Sequence, residues 1–139
     1  MNIFDIETVV NYELEIFNST LGFNFIYNEL NHNPYAYYFV MVENNKLIGY
    51  IGSWINGKFG QIVNFFIVKH ERNKGNGKLL INHCIDNLKS IGATIISLEV
   101  RVSNIRAIKF YESLNFTKAY VKKGYYQDNE DAFVMILYL

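Results

Sequence analysis

Residues 63–80 read VNFFIVKHERNKGNGKLL, and this stretch decides the fold. Its first half is continuously apolar, so residues 61–68 are expected to form a central strand of a sheet. Its second half places Gly75 and Gly77 ahead of an apolar stripe at helical spacing. Backbone amides at such a strand-to-helix junction can approach an anion closely, and the helix dipole favours negative charge there. The loop Arg72–Gly77 is therefore a candidate site for a pyrophosphate.

Hydrophobic spacing predicts the elements on either side of this stretch. Before it, the pattern indicates a helix over residues 4–17, a weaker helix around residues 23–30, and a hairpin of strands over residues 35–42 and 47–54. After it, the pattern indicates a helix that ends near Gly92, a strand over residues 94–102, a helix over residues 104–114 and a closing hairpin. Because strand–helix–strand connections are right-handed, the strands 61–68 and 94–102 should be parallel neighbours.

The first predicted helix has a clear amphipathic pattern. Its apolar residues are Ile6, Val9, Val10, Leu14 and Phe17, and its polar face is expected to carry Asn11, Glu13 and Glu15. Asp5 is expected to cap its first turn. Residues 1–139 show no internal repeat or linker, so the sequence predicts a single domain.

Composition excludes several broad classes of function. The 139 residues include 13 basic and 13 acidic side chains, which removes the electrostatic argument for general binding to nucleic acid or to an anionic membrane. No apolar stretch approaches the roughly 20 residues that cross a bilayer. The single cysteine, Cys84, cannot form an internal disulfide, and a reducing cytoplasm is the expected compartment. Cys84 also lies on the apolar stripe of its helix, which favours a buried structural thiol over a nucleophile.

The glycine loop does not match the common nucleotide motifs. GxxxxGK followed by Ser or Thr is absent, and so is GxGxxG with an acidic residue about 20 positions on. Taken alone, glycines after a strand more often form a plain turn than an anion site.

Three segments together resemble the GNAT acetyltransferases. They are residues 63–80, the segment LEVRVSNIRAIKFYESLNF at 98–116 and the segment KKGYYQDNEDAFVMIL at 122–137. The resemblance covers about residues 46–138 and is strongest to the bacterial ribosomal-protein alanine N-acetyltransferases. It implies an α/β (α+β) fold with a central, mixed, mostly antiparallel sheet that is splayed at its middle strands, and helices on both faces.

The resemblance also implies which residues hold acetyl-coenzyme A. Backbone groups of Phe65, Phe66 and Ile67 would pair with the pantetheine arm, at a sheet that splays after residue 64. The pyrophosphate would lie on the loop and the first helical turn, formed by Arg72, Asn73, Lys74, Gly75, Asn76, Gly77 and Lys78. Asn104 would contact the coenzyme, although its position before a helix also suits a simple cap. No metal is expected.

Two residues are the candidates for the chemistry. Strand alternation sends Glu99 to the face opposite Leu98 and Val100, where pairing with Arg101 on the same face is the simplest interpretation. The resemblance instead implies that Glu99 is the general base, acting directly or through water. It implies that Tyr111 protonates the departing thiolate, whereas spacing alone would make Tyr111 a packed aromatic residue.

The resemblance predicts direct transfer of an acetyl group to an amine, with the N-terminal α-amine of a ribosomal or other protein as the favoured acceptor. Aromatic and acidic residues near the closing hairpin could contact that amine, or could serve only as loop residues; they are Tyr125, Tyr126, Asp128, Glu130 and Asp131. The alternatives are a small-molecule amine, a lysine side chain, or a coenzyme-binding module without turnover. A monomer or weak dimer is expected. Asn115 departs from the family pattern, which usually has glycine at this turn, but asparagine tolerates a left-handed conformation.

Overall fold

The computed structural model describes residues 1–139 and contains one six-stranded sheet in the order β1-β2-β3-β4-β6-β5. The strands are β1 (Ala36–Glu43), β2 (Lys46–Asn56), β3 (Phe59–Ile67), β4 (Ile95–Arg101), β5 (Thr117–Lys122) and β6 (Ala132–Tyr138). Every neighbouring pair is antiparallel except β3 and β4, which are parallel. The predicted mixed, mostly antiparallel sheet is therefore confirmed, as is the parallel pair at its centre.

The helices cover both faces of this sheet. They are α1 (Ile6–Phe17), α2 (Phe23–His32), α3 (Asn76–Ser90) and α4 (Ile105–Ser113). One hydrophobic cluster joins α1 and α2 to the first three strands through residues such as Ile6, Ile26 and Tyr50. A second cluster joins α3 and α4 to the other face through residues such as Leu88 and Ile108. None of these helices has the length and apolar character that a bilayer span requires.

The chain begins differently from the sequence prediction. Asn2 caps a short 3-10 turn, Ile3–Asp5, by accepting a hydrogen bond from the Phe4 N–H at 2.9 Å. The Asp5 carboxylate accepts from the Asn2 N–H at 2.8 Å and makes no capping bond to α1. Asp5 therefore occupies the N-cap position of α1, as predicted, but its carboxylate completes the capping box of the 3-10 turn and makes no capping bond to α1.

The polar face predicted for α1 is also wrong at one position. Glu13 is fully buried, whereas Leu14 and Phe17, which were assigned to the buried face, are 48% and 40% exposed. The row that faces the sheet is Ile6, Val9 and Glu13, at the same three- and four-residue spacing. The spacing of apolar residues gives the period of the buried face of a helix. It does not show which residues form that face when a buried carboxylate can find hydrogen-bond donors.

The parallel strands separate early. Pairing between β3 and β4 is confined to Phe59–Gln61 with Ile95–Ser97, three residues before the predicted splay. Beyond this point β3 continues to pair with β2, and a register shift opposite Gly52 and Ser53 leaves Val63 without a partner. Such a bulge bends a strand and increases its twist, so β3 diverges from β4. We call the opening between β3 and β4 beyond Gln61 the gap.

Asn115 follows α4 with a φ of 71°, so the turn that usually takes glycine is kept with asparagine. We predict that Asn115→Gly preserves the free energy of unfolding. Asn115→Val should lower it by about 1–2 kcal/mol, because a β-branched residue fits the left-handed region poorly. Urea unfolding of the two variants beside the wild type measures both values, and equal stability of the two variants would contradict the prediction.

Candidate functional site

The β3 edge of the gap exposes backbone groups of alternate residues. Val68 donates its N–H to the Ile48 carbonyl of β2 at 2.9 Å. In an antiparallel ladder this bonding alternates, so the N–H and C=O of Phe66 point toward β2, while those of Phe65 and Ile67 point into the gap. Of the three residues predicted to offer backbone groups, Phe65 and Ile67 therefore direct these groups into the gap, whereas Phe66 directs its own to β2. Its side chain lies in the core under α1 and α2.

The groups that face the gap have local partners. The Phe65 N–H donates to the side-chain oxygen of Asn64 at 3.0 Å. The Arg72 Nε donates to the Ile67 carbonyl at 2.8 Å, which fixes the start of the glycine loop against the end of β3. The Phe65 ring stacks on Phe110 of α4, with centroids 5.9 Å apart. The strand edge, the loop and α4 thus meet at one end of the gap.

The glycine loop leads directly into α3. Asn73 and Gly75 both have positive φ angles, of 61° and 83°. Gly75 occupies the position before the first helical residue and offers no side chain to cap α3. The N–H groups of the first turn, from Asn76 to Lys78, therefore have no capping acceptor and are free to bind an anion. In the predicted loop, the part whose N–H groups are exposed in this way is the first turn of α3, from Asn76 to Lys78.

Positive charge gathers beside this helix terminus. Burial lowers the pKa of Arg72, and the nearby Arg106 guanidinium lowers it further. Arg106, on α4, donates to the Asn73 side chain at 3.2 Å, whereas Lys74 is paired with Glu71 at 3.1 Å. Two guanidiniums without a carboxylate between them favour an anion. Sequence reasoning missed Arg106, although its position in the first turn of a helix that follows a central strand was a usable signal.

Asn104 is the cap of α4. Its side-chain oxygen accepts a hydrogen bond from the Ala107 N–H at 3.2 Å. The simple interpretation from the sequence therefore accounts for its contacts. Its exposed position beside Arg106 keeps it at the same end of the molecule as the glycine loop.

Glu99 lies on β4 with its side chain 17% exposed and both carboxylate oxygens engaged. Lys122 of β5 donates to one oxygen at 2.6 Å, and the Tyr125 hydroxyl donates to the other at 2.7 Å. The hydrogen bond to Glu99 raises the pKa of Lys122 and raises the pKa of Tyr125 to about 12. The predicted pairing with Arg101 is wrong, and sequence reasoning missed Lys122 because the contact joins residues 23 positions apart.

Arg101 instead organises the loop between β5 and β6. It donates to Asp128 at 2.8 Å and to Glu130 at 3.0 Å, and its guanidinium lies 4.0 Å from the centre of the Tyr126 ring. Asp131 accepts from Lys123 at 3.1 Å and from the Gly124 N–H at 2.9 Å. The acidic residues that were candidates for binding an amine are therefore engaged in shaping this loop.

Tyr111 is buried in α4 between Phe110 and Phe116, whose ring centroids lie 5.5 Å and 5.9 Å from its own. Burial raises the pKa of Tyr111, and the neighbouring Tyr126 adds to the effect. Burial raises the pKa of Tyr126; Arg101 opposes this rise and Glu99 adds to it. Tyr126 therefore lies within electrostatic reach of both Tyr111 and Glu99. A phenol with a raised pKa keeps its proton at neutral and moderately alkaline pH and can donate it.

Cys84 is fully buried on α3. Burial raises the pKa of its thiol to about 11, and a hydrogen bond with Ser53 opposes part of that rise. Since the thiolate is the reactive form, this cysteine is not a nucleophile near neutral pH. No group of three or more His, Cys, Asp or Glu residues is arranged to hold a metal ion.

Comparisons with known proteins agree with this geometry. The acetyltransferase (GNAT) family model matches residues 4–116. The putative ribosomal protein bS18-alanine N-acetyltransferase of Bacillus subtilis (strain 168) is 37% identical over 136 residues, which are 97% of this chain and 90% of that relative. The crystal structure of the ribosomal-protein-S18-alanine N-acetyltransferase from Escherichia coli has a TM-score of 0.88 and 26% identity, covering 99% of this chain and 90% of that one. Arabidopsis thaliana NAA60 in complex with acetyl-CoA shares the fold, with a TM-score of 0.88, 19% identity and coverage of 100% and 96%.

We predict that Cys84 of the native protein reacts with iodoacetamide at pH 8 about 100-fold more slowly than in the unfolded chain. A thiol with a pKa of about 11 holds roughly a hundredth of the thiolate of an ordinary cysteine at this pH, and burial restricts access further. Mass spectrometry of timed samples gives both rates. The protein in guanidinium chloride is the control, and equal rates in the two states would contradict a buried, protonated thiol.

Proposed function

Because the chain belongs to the acetyltransferase (GNAT) family, we propose that it acetylates the N-terminal α-amine of a protein, with alanine as the first residue. Acetyl-CoA-dependent N-acetyl transfer follows from the family and its relatives; the choice of acceptor is the proposal. The observation that carries it is the Glu99 carboxylate, which is held beside the gap by an ammonium and by a tyrosine hydroxyl. Because the Glu99 carboxylate already binds the ammonium of Lys122, it is suited to bind the ammonium of an acceptor.

The gap and the glycine loop fit acetyl-coenzyme A. Ladder parity turns the Phe65 carbonyl and the Ile67 N–H into the gap, and the two amides of pantetheine are suitable partners for this acceptor and this donor. The uncapped first turn of α3 offers N–H groups to the pyrophosphate. Arg72 and Arg106 supply positive charge beside it. These features support the coenzyme at this end of the sheet.

The proposed reaction needs no covalent intermediate on the protein. Glu99 accepts a proton from the acceptor ammonium, directly or through water, and the free amine then attacks the thioester carbonyl carbon. Collapse of the tetrahedral intermediate breaks the carbon–sulfur bond. Tyr111 donates its proton to the departing thiolate, and the second proton of the attacking nitrogen leaves to solvent. The buried phenol is in its protonated form throughout the neutral range, which suits it to this step.

A protein terminus fits the acceptor side better than a buried small molecule. Asn64 bonds to Glu13 of α1, and Glu99 alternates with Leu98 and Val100 of the α3 and α4 cluster, so both face the side of the sheet that α1 and α2 cover. The loop after β5 lies on the same side, with Tyr125 bonded to Glu99 and Tyr126 packed against Arg101. The half-exposed ring of Tyr125 and the ordered loop would border an extended chain end whose amine reaches Glu99. The relatives from Bacillus subtilis and Escherichia coli are named for alanine of a ribosomal protein, which supports this acceptor class.

The compartment and assembly state belong to the same proposal. A protein whose one cysteine is a buried free thiol suits the reducing cytoplasm, where ribosomal proteins are also made. A monomer suffices, because Glu99, Tyr111 and the glycine loop all come from one chain.

An acceptor screen with acetyl-CoA tests the proposed acceptor. The matched amines are a short peptide with a free N-terminal alanine, the same peptide with a formylated N-terminus and an internal lysine, and a small diamine. We expect acetylation of the first alone, detected by mass spectrometry. Transfer to the lysine or to the diamine instead would establish one of the alternative acceptors. Binding of the coenzyme without any product would identify a module without turnover.

We predict that Glu99→Gln lowers kcat about 100- to 10,000-fold near neutral pH and leaves the Kd for acetyl-CoA unchanged, because the amide cannot take the ammonium proton. The remaining rate should rise with pH as solvent supplies more free amine. Steady-state kinetics from pH 6 to 10, with coenzyme affinity measured separately, give both results.

Lys122→Gln is the matched control for this substitution. It removes the same ion pair and keeps the Glu99 carboxylate. If Glu99 serves only to hold Lys122, the two variants will lose the same activity. Retention of most of the activity by Lys122→Gln, beside a large loss in Glu99→Gln, assigns the proton transfer to Glu99.

A further inference from the structure

Glu13 is a fully buried carboxylate that the proposed chemistry does not use. Buried glutamates are rare unless paired with a cation, yet no lysine, arginine or histidine lies within salt-bridge distance of this one. Hydrogen-bond donors surround it instead. One oxygen accepts from the Thr20 hydroxyl and from the Leu21 N–H at 3.0 Å, and the other accepts from the Asn64 side-chain amide at 2.6 Å.

This carboxylate fixes the orientation of Asn64. The amide nitrogen of Asn64 must face Glu13, since only the nitrogen can donate. Its oxygen is thereby turned toward the Phe65 N–H, 3.0 Å away. That N–H points into the gap, where β4 no longer pairs with β3. Glu13 thus determines that an oxygen, and not a donor, stands beside the open edge of β3.

Asn64 also stands opposite the candidate base. Its bond to Glu13 of α1 shows that it projects from β3 to the same sheet face to which Glu99 projects from β4. The loop between α1 and α2, held to Glu13 through Thr20 and Leu21, borders this face. The bond between Asn64 and Phe65 therefore lies where the acceptor side and the coenzyme side of the gap meet.

We propose that Asn64 binds the acceptor amine during the reaction and that Glu13 is the positioning residue that keeps the Asn64 oxygen directed at it. In the free protein, Asn64 and Phe65 satisfy each other. When both substrates bind, the Phe65 N–H is released to the thioester oxygen, and the Asn64 oxygen accepts an N–H of the ammonium. One internal hydrogen bond is replaced by two hydrogen bonds to substrates.

The bond from Asn64 to Glu13 also makes the Asn64 oxygen better suited to bind the amine. A carboxylate that accepts from the Asn64 nitrogen polarises the amide and makes its oxygen a better acceptor. The amine then has Glu99 on one side to take its proton and Asn64 on the other to hold it. Asn64 binds without titrating, so the proton balance of the acetyl transfer is unchanged. This inference rests on the proposed amine acetylation.

Substitution of Glu13 by glutamine should reverse the Asn64 amide. The Leu21 N–H still requires an acceptor, so the glutamine oxygen faces the loop and its NH₂ group faces Asn64. The Asn64 oxygen then accepts from the glutamine NH₂ at position 13, and the Asn64 NH₂ group faces the gap. There this NH₂ group repels both the Phe65 N–H and the ammonium of the acceptor. The substitution thus removes the acceptor at the gap while the loop keeps its contact.

A double-mutant cycle tests the inference on the peptide that the wild type acetylates. We expect Glu13→Gln and Asn64→Ala each to lower kcat/KM about 10- to 100-fold, the usual worth of a hydrogen bond to a charged group. The Kd for acetyl-CoA should stay within about twofold of the wild type. Because Glu13 acts through Asn64, the double variant should be no worse than Asn64→Ala alone. If Glu13 only stabilised the fold, the losses in kcat/KM of the two single variants would multiply in the double variant.

Glu29→Gln is the control for loss of a partly buried carboxylate. Glu29 of α2 accepts from the Trp54 indole and, at 3.3 Å, from the Tyr38 hydroxyl. Its substitution should lower the Tm without changing kcat/KM. The inference is overturned if the two losses in kcat/KM multiply in the double variant, or if Asn64→Ala has the kcat/KM of the wild type. The result for Asn64→Ala is decisive even if Glu13→Gln does not fold. Wild-type protein that acetylates no amine would instead refute the proposed function, and the inference with it.

Discussion

The separation of β3 from β4 is the constraint on which the rest of the structure depends. Parallel pairing ends at Gln61, while β3 stays bonded to β2 as far as Ile67. The backbone groups of Phe65 and Ile67 are left at an open edge, and such groups carry a free-energy cost unless they find partners. The protein supplies partners for two of these groups: Asn64 accepts from the Phe65 N–H, and Arg72 donates to the Ile67 carbonyl. The other groups of this edge face the gap, which is why the defect in the sheet suits the proposed coenzyme.

The two hydrophobic clusters give the gap two different sides. Phe65 and Ile67 turn their side chains toward α3 and α4, where the glycine loop and Arg106 are also found. Asn64 and Phe66 turn toward α1 and α2. The bulge at Val63 sets this division, because Ile62 before it belongs to the cluster of α3 and α4, whereas Asn64 and Phe66 after it face α1 and α2. In the proposed reaction, the coenzyme and the acceptor therefore lie on opposite faces of the same two strands, and the thioester and the amine meet through the gap.

Local patterns in the sequence predicted the elements well, because helical and strand periods depend on neighbouring residues. The strand 61–68 appears as Phe59–Ile67, and the helix after Gly77 begins at Asn76. The errors concern long-range partners. Glu13 looked like a surface residue because its donors lie on a loop and on β3, and Glu99 looked like a partner of Arg101 because Lys122 is distant in sequence. The direction of the Phe66 backbone groups was also out of reach of local patterns, because ladder parity depends on the register with β2.

The contact between Glu99 and Lys122 bears on how an ammonium can enter the site. A buried carboxylate without a partner would be costly, and a permanent partner would block the acceptor. The side chain of Lys122 is 39% exposed and that of Glu99 is 17% exposed, so the lysine is the member of the pair that can move into solvent. Its long flexible stem makes that movement easy, and water compensates its charge. In the proposed reaction, exchange of the Lys122 ammonium for that of the acceptor leaves the net charge beside Glu99 unchanged.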